Sequence, residues 1–193
     1  MEINKNFKIL LAVATDELRP TMNFIHFANG YAYASDSHIL AKIPIEELID
    51  FTLDPERSIE EHIAILNGCS IQGAIWKKIA GCKDMMKLYP PQVEGDSPYI
   101  RVFATDGQDI IYPFAKKDYY KAPNFESVLK RAGEETPISR ICLSSGLLHK
   151  LSQALGTDCV KMEFNGESRA VFVRPESLVS NAIGVIMPRA IIE

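Results

Sequence analysis

Residues 23–40 read Asn-Phe-Ile-His-Phe-Ala-Asn-Gly-Tyr-Ala-Tyr-Ala-Ser-Asp-Ser-His-Ile-Leu. Two short runs rich in aromatic and aliphatic residues flank Asn29-Gly30, a dipeptide typical of a two-residue hairpin turn. Asp36-Ser37-His38 predicts a second turn, after which an apolar run continues to Ile45. This stretch therefore predicts three consecutive antiparallel strands.

A helix is predicted before these strands, so the first unit, residues 1–50, has one helix and three strands. The apolar stretch that starts at Phe7 is expected to form this helix, and Arg19-Pro20 is expected to end it, since proline lacks an amide donor. The hydrophobic pattern thus places a helix next to a three-stranded meander.

The same order of elements recurs twice more along the chain. In the second unit, residues 62–116, a strand over 62–66 precedes a helix that Ser70 caps and Gly81 ends, and three strands follow. In the third unit, residues 138–193, a strand over 138–143 precedes a helix that ends at Gly156, and three strands follow. Two charged connectors, 46–61 and 116–137, separate the units.

The composition excludes several classes of protein. The 193 residues are 47% hydrophobic and 24% charged, as in ordinary globular proteins, and the net charge of −4 argues against a histone-like DNA packager. No apolar run approaches the roughly 20 residues of a membrane span, and no export signal is visible, so we expect a cytoplasmic protein with no membrane partner. The four cysteines lie far apart, which predicts buried free thiols, no metal site and no cofactor.

The motifs of the first unit carry a family likeness. Arg19-Pro20, the hairpin and Ala34-Ser-Asp-Ser-His-Ile-Leu-Ala41 follow one another as in the bacterial DNA polymerase sliding clamp, the beta subunit of the replicative polymerase, which this chain resembles. The family's turn reads Ala-Thr-Asp-Gly-His-Arg-Leu-Ala, so Ser35, Ser37 and Ile39 replace Thr, Gly and Arg. Residues 182–189 resemble the clamp's terminal strand and Met-Pro ending, and residues 124–129 resemble its connector more weakly.

The resemblance implies an α+β, DNA clamp-like fold, in which three strand–helix–three-strand units place antiparallel sheets on one side and helices on the other. Residues 1–116 would form a clamp-like domain of two units (1–50 and 62–116), residues 117–137 a connector, and residues 138–193 a third half-domain unit. Clamp rings contain twelve such units, so four copies of a three-unit chain would match the count. We therefore expect a homo-oligomer that is a divergent and shortened relative of the clamp.

The resemblance also implies a non-enzymatic processivity or accessory factor in DNA replication. Such a protein contacts double-stranded DNA non-specifically, through basic side chains that meet the phosphate backbone. Acidic residues cluster instead in connector 46–61, which leaves room for a basic inner face. The candidate DNA-binding residues are Lys5, Lys8, Lys77, Lys78, Lys83 and Lys150, with Arg131 in the second connector.

Sliding clamps bind short peptides of polymerases and repair proteins in an apolar pocket, built from the Thr-Asp-Gly-His-Arg-Leu turn and the terminal strand. Carried over to this chain, the pocket would consist of Ser35, Ser37, His38, Leu40, Val185, Ile186 and Met187. The replacement of the family's Arg by Ile39 alters the specificity that the pocket would have.

Two alternative functions stay open at this point. One is a clamp-fold regulator, of a phage or mobile-element type, that binds proteins only and does not encircle DNA. The other is an enzyme built around Asp36 and His38, which share a turn. No nucleophile motif, glycine-rich phosphate loop or metal-binding HExxH pattern accompanies that pair, so we expect no catalysis.

Overall fold

The fold comes from a computed structural model of the chain, which describes residues 1–93, 96–105, 107–115, 123–131, 140–166, 169–177 and 179–190. The first unit has the predicted hairpin and meander. Its elements are β1 (Glu2–Ile3), the 3-10 helices η1 (Ile9–Ala12) and η2 (Pro20–Asn23), β2 (Phe24–Ala28), β3 (Tyr31–Ser35) and β4 (Ile39–Pro44). Asn29 and Gly30 both have positive φ, of 51° and 80°, as the tight hairpin turn requires.

The first helix is shorter than predicted, and Arg19-Pro20 does not end it. Helix η1 stops at Ala12, and Pro20 instead begins η2, where its missing amide hydrogen costs nothing. The first unit is therefore held by two short 3-10 turns in place of one α-helix.

The second unit contains a strand, a helix and three strands, but its first strand lies later than predicted. The connector contributes α1 (Ile45–Leu48), β5 (Ile49–Asp50) and α2 (Ile59–Leu66). The unit itself contains β6 (Ser70–Gln72), α3 (Gly73–Ala80), β7 (Met85–Tyr89), β8 (Tyr99–Phe103) and β9 (Asp109–Pro113).

The strand predicted at 62–66 is wrong, because a capping box starts a helix there. Ser58 Oγ accepts from the Glu61 amide at 3.2 Å, and the Ser58 amide donates to the Glu61 carboxylate at 2.7 Å.

The third unit begins with a single bridge in place of a full strand. Cys142 pairs with Arg189, while most of the predicted strand's first half (138–139) lies outside the described residues. The elements that follow are α5 (Ser145–Ala154), β10 (Val160–Glu163), β11 (Val171–Pro175) and β12 (Ile183–Ile186). Ser144 caps α5 by accepting from the Leu147 amide. The second connector contains α4 (Phe125–Arg131).

Strand pairing joins the third unit to the first. The main sheet has seven strands in the order β10-β11-β12-β4-β3-β2-β6, and all its pairs are antiparallel. Strand β12 lies against β4, with Val185 opposite Leu40. Strands β7, β8 and β9 form a separate sheet, linked to β6 by a bridge between Ser70 and Ala115. The domain boundaries at 116 and 138 stay a prediction.

Alternate residues of the main sheet face two different cores. On one face, Ala32 and Ala34 of β3 belong to the large core, which also contains buried residues of η1, α3 and α5. On the other face, Tyr33 belongs to a smaller core beneath α4, where its ring stacks on Phe125 with centroids 5.1 Å apart. The sheet therefore lies between a layer of three helices and the single connector helix α4.

Helix α5 lies close against the sheet and against the N-terminal segment. A Cβ at Gly184 would lie 2.8 Å from the Leu151 side chain, so only glycine lets α5 approach β12 this closely. At the end of α5, Gly156 adopts φ 68°, and a Cβ there would lie 2.9 Å from the Asn6 carbonyl oxygen. Gly156 thus ends the helix, as predicted, and permits the chain to cross the N-terminal segment.

A buried ionic cluster fixes the first connector to the small sheet. The fully buried Asp54 carboxylate lies 3.2 Å from His62 Nε2 and 3.7 Å from Arg57 Nη1. Lys87 of β7 lies 4.0 Å from the same carboxylate, and the His62 ring stacks on Phe51 at 4.3 Å. The acidic connector is therefore packed against unit two and is not a free linker.

The cysteine prediction holds for one of four residues. All four are free thiols, but only Cys69 is buried; Cys82 is half-buried, and Cys142 and Cys159 are exposed. Cys142 lies between Ile141 and Leu143, which pack against the main core, so in this extended segment its side chain points the opposite way.

Gly156→Ala should lower the free energy of unfolding by about 2–4 kcal/mol. Alanine would be strained in the left-handed backbone conformation of this position, and its Cβ would clash with the Asn6 carbonyl oxygen. Gly146→Ala on the same helix is the control. Its Cβ would meet only Ser144 Oγ at 4.0 Å, so it should raise stability by up to about 1 kcal/mol. Urea unfolding at one protein concentration measures both. Equal changes in the free energy of unfolding from the two substitutions would contradict the close approach of Gly156 to the N-terminal segment at Asn6.

A second stability prediction rests on His26, which is 2% exposed. Its Nε2 donates to the Thr21 carbonyl at 2.7 Å, and in the neutral ring its Nδ1 accepts from the Ser70 hydroxyl at 2.8 Å. Burial lowers the pKa of His26 from its ordinary value of 6.5. Below that ordinary value the unfolded chain binds a proton that the folded chain does not, so this group makes stability fall as pH falls.

Wild-type protein should therefore lose about 1 kcal/mol more stability between about pH 7.5 and pH 5.5 than the His26→Gln variant does. Urea unfolding at both pH values measures the difference. His149→Gln is the control, because His149 is exposed on α5. A His26→Gln variant with the wild-type pH dependence would show that His26 is not held neutral.

Candidate nucleic-acid interface and partner pocket

The three helices that cover the inner face of the sheet contain no acidic residue. Helices η1, α3 and α5 read ILLA, GAIWKKIA and SGLLHKLSQA, and they carry Lys77, Lys78 and Lys150. The connector helices α1 and α2 show the opposite pattern, with Glu46, Glu47, Glu60 and Glu61 and no lysine or arginine. The charges of this acidic protein are therefore segregated between two sets of helices.

A groove of about 680 Å³ runs between η1 and α3, and three of the predicted lysines line it: Lys5, Lys8 and Lys77. A smaller depression of about 320 Å³ adjoins it, since Val13, Ala14 and Thr15 line both, and Lys150 borders this second one. The structure thus brings four of the six candidate lysines to two adjoining depressions. Lys78 and Lys83 are exposed on and just after α3, outside both.

Lys150 is the only one of these four with an ion pair among the described residues. Its ammonium lies 3.8 Å from Asp36 Oδ2, and the lysine side chain is 46% exposed. An exposed pair of this kind contributes little free energy, so Lys150 is able to exchange Asp36 for a phosphate group. The side chain of Arg131 lies outside the described part of the structure, although its backbone ends α4.

The residues of the predicted peptide pocket come together where β4 and β12 pair. Val185 lies opposite Leu40, and the Met187 amide donates to the His38 carbonyl at 3.0 Å. Leu40, Val185 and Ile186 are at most 4% exposed, because α4 covers the outer face and the helix layer covers the inner one. Met187 is 41% exposed, His38 is exposed, and Ser35 and Ser37 are half-buried. The pocket stays a prediction, with its accessible part at His38 and Met187.

The turn at 35–39 shows why the family pattern has glycine where this chain has Ser37. Ser37 adopts φ 76°, a left-handed conformation that glycine tolerates best. Asp36 Oδ1 accepts from the amides of His38 and Ile39, each at 2.9 Å, which stabilises the turn. The Asp36 carboxylate therefore accepts hydrogen bonds from the turn backbone and pairs with Lys150. These described contacts of Asp36 do not include the His38 ring.

No group of His, Cys, Asp and Glu side chains in the described ranges is arranged to hold a metal ion. None of the helices in that part of the chain has the length and apolar character needed to cross a bilayer.

Sequence reasoning missed the groove between η1 and α3. Its lining includes Phe7, Leu10 and Val13, which belong to the apolar stretch expected to form one helix. The part that the sequence did indicate is the set of lysines at its rim, Lys5, Lys8 and Lys77. The depth of the groove depends on η1 being a single short 3-10 helix, which the sequence pattern did not predict.

Comparison with known proteins identifies the fold. No protein-family model and no curated protein matches the sequence. Among solved structures, a DNA polymerase sliding clamp from Pseudomonas aeruginosa matches 99% of this chain and 66% of its own, with 12% identity and a TM-score of 0.57. A sliding clamp from Bartonella birtlesii bound to griselimycin matches 97% of this chain and 64% of its own, with 12% identity and a TM-score of 0.60.

The beta subunit of DNA polymerase III from Thermotoga maritima matches 95% of this chain and 61% of its own, with 12% identity and a TM-score of 0.58. The chain thus spans slightly less than two thirds of each of these clamps. The resemblance read from Arg19-Pro20, the turn at Asp36 and the Met187-Pro188 ending is confirmed at the level of architecture. The chain has the α+β fold of a bacterial DNA polymerase sliding clamp, in a divergent and shortened form.

Proposed function

We propose that this protein is a sliding-clamp-like processivity or accessory factor, which contacts duplex DNA without sequence preference, assembles as a homo-oligomer and tethers partner proteins. The proposal covers DNA contact, assembly and tethering, and involves no catalytic step. The solved clamps share its architecture at low identity, so the function is argued from the residues of this chain.

The segregation of charge on the helix layer is the observation that carries the proposal. Lys5, Lys8 and Lys77 line a groove without Asp or Glu, and Lys150 borders an adjoining depression that Asp16 and Asp36 also line, while glutamates occupy the connector helices. Lysines on one face neutralise phosphates wherever the protein stands on the duplex, which is the requirement for sliding. Lys78 and Lys83 would extend this surface along α3.

Assembly is supported by edges that remain open in the described strands. Strand β10 is the last strand of the seven-stranded sheet, and on β9 the side chains of Ile110 and Ile111 are 46% and 58% exposed. A strand edge and exposed apolar side chains are surfaces that a second copy can cover.

Tethering is proposed at His38 and Met187, the accessible members of the pocket. The other pocket residues lie beneath these two and shape it: Ser35, Ser37, Leu40, Val185 and Ile186.

Charge reversal on the helix layer should weaken DNA binding. Lys77→Glu combined with Lys150→Glu should reduce affinity for a labelled duplex about tenfold or more and reduce the slope of log affinity against log salt by about 2. Fluorescence anisotropy over a salt series measures both quantities. Lys130→Glu, on α4 at the opposite face, is the matched control and should change neither. If Lys130→Glu weakened DNA binding as much as the double variant does, the helix layer would not be the DNA interface.

Assembly on DNA should be topological. The solution mass, measured by light scattering, should be a multiple of the 21.6 kDa chain, and the protein should stay on a closed circle longer than on the same DNA linearised. A strict monomer at high concentration would rule out a ring. A stable oligomer with no DNA affinity would favour the alternative, a clamp-fold regulator that binds proteins only, which the apolar character of the groove also favours.

A further inference from the structure

We propose that the groove between η1 and α3 is a binding site for an acidic amphipathic peptide segment of a partner protein. Apolar side chains of the segment would occupy the groove, and its carboxylates would meet the lysines at the rim. This site lies on the helix layer, away from the pocket proposed at His38 and Met187, and it does not depend on DNA binding.

The shape of the groove follows from the short helix η1. A helix of only four residues covers little of α3, so the half-buried side chains of Phe7, Leu10 and Ala80 line an opening of about 680 Å³. This volume falls within the range of pockets that enclose drug-sized ligands, and it accommodates two or three apolar side chains of a peptide. Removing such side chains from water supplies the affinity.

The charge of the groove selects the ligand. Lys5, Lys8 and Lys77 are exposed at its rim, and its lining contains no Asp or Glu. Lys5 also borders a neighbouring depression lined by acidic side chains, namely Glu2, Glu46, Glu47 and Asp50. An acidic segment would be repelled from that depression and held to the groove, where carboxylate–ammonium hydrogen bonds form.

The apolar lining favours a peptide over duplex DNA as the occupant. A DNA backbone presents phosphates and sugars, so it would use the lysines and leave the apolar groove empty. An amphipathic segment uses both features at once, as segments of this kind do when they lie in hydrophobic grooves. A bound segment would also occupy Lys8 and Lys77, and would therefore compete with DNA for them.

Binding is measured on the peptide, because the Trp76 ring is only 2% exposed and packs in the main core beneath the groove. The fluorescein-labelled synthetic peptide Asp-Glu-Leu-Leu-Glu-Phe-Glu-Asp is titrated with the full-length protein, and its fluorescence anisotropy is recorded. A second peptide has serine at the three apolar positions, and a third probe is a duplex DNA of about 20 base pairs. The first peptide should give a saturable change, and the serine peptide should bind about tenfold more weakly or less.

Three variants separate the two features of the site. Lys8→Glu with Lys77→Glu reverses two of the three rim charges, and Ala74→Phe fills the groove at an exposed helix position; each should weaken peptide binding about tenfold. Lys130→Glu makes a charge change on α4, on the opposite face of the sheet, and should leave peptide binding unchanged. Circular dichroism confirms that each variant is folded.

The proposal is overturned by any of three results. The first is the absence of a saturable change in anisotropy with the acidic peptide; the second is equal weakening by Lys130→Glu and by Lys8→Glu with Lys77→Glu. The third is saturable peptide binding that Ala74→Phe does not weaken. None of these results bears on assembly or on retention by circular DNA, so the two proposals fail independently.

Discussion

The antiparallel pairing of β4 with β12 is the contact on which the arrangement of the whole molecule depends. It places Val185 opposite Leu40, joining residues about 145 positions apart, and so makes one sheet from the first and third units. Because α5 lies on β12 through Gly184, the same pairing brings α5 beside η1. Without it the helix layer would lack Lys150, and the turn at Asp36 would not meet Met187.

This arrangement gives an acidic protein one face that carries lysines. A net charge of −4 describes a sum, whereas a phosphate or a carboxylate senses the local potential of the face it approaches. The helix layer has lysines without acids, and the connector has Glu61 in a capping box and a buried carboxylate, Asp54, held by Arg57 and His62. Part of the acidic excess thus stabilises the connector, away from the proposed binding surface.

Much of the fold could be predicted because local signals agreed with the tertiary structure. Asn29-Gly30 predicted a hairpin, Gly156 marked the end of α5, and each unit has the predicted three strands after its helical segment. The predictions of secondary structure were wrong where the hydrophobic pattern of a segment was outweighed by other interactions. The isoleucines around His62 favoured a strand, but reciprocal hydrogen bonds between Ser58 and Glu61 started a helix there.

The candidate site was less predictable than the fold for the same reason. Lysines on helices are visible in the sequence, but their common face depends on packing between η1, α3 and α5, which are distant along the chain. The burial of Leu40 and Val185 depends on α4 crossing the outer face, where Phe125 stacks on Tyr33. Neither arrangement has a local sequence signal, since each joins elements far apart in the chain.

The distance between β4 and β12 along the chain also has a consequence for biosynthesis. The ribosome completes β4 about 140 residues before β12 is made, an interval of roughly ten seconds at ordinary rates of synthesis. During that interval the outer edge of β4 exposes unpaired backbone groups next to the apolar side chains of Ile39 and Ile43, a surface that invites pairing with another chain. The nascent protein therefore passes through an aggregation-prone stage, and that stage ends only when its last strand is in place.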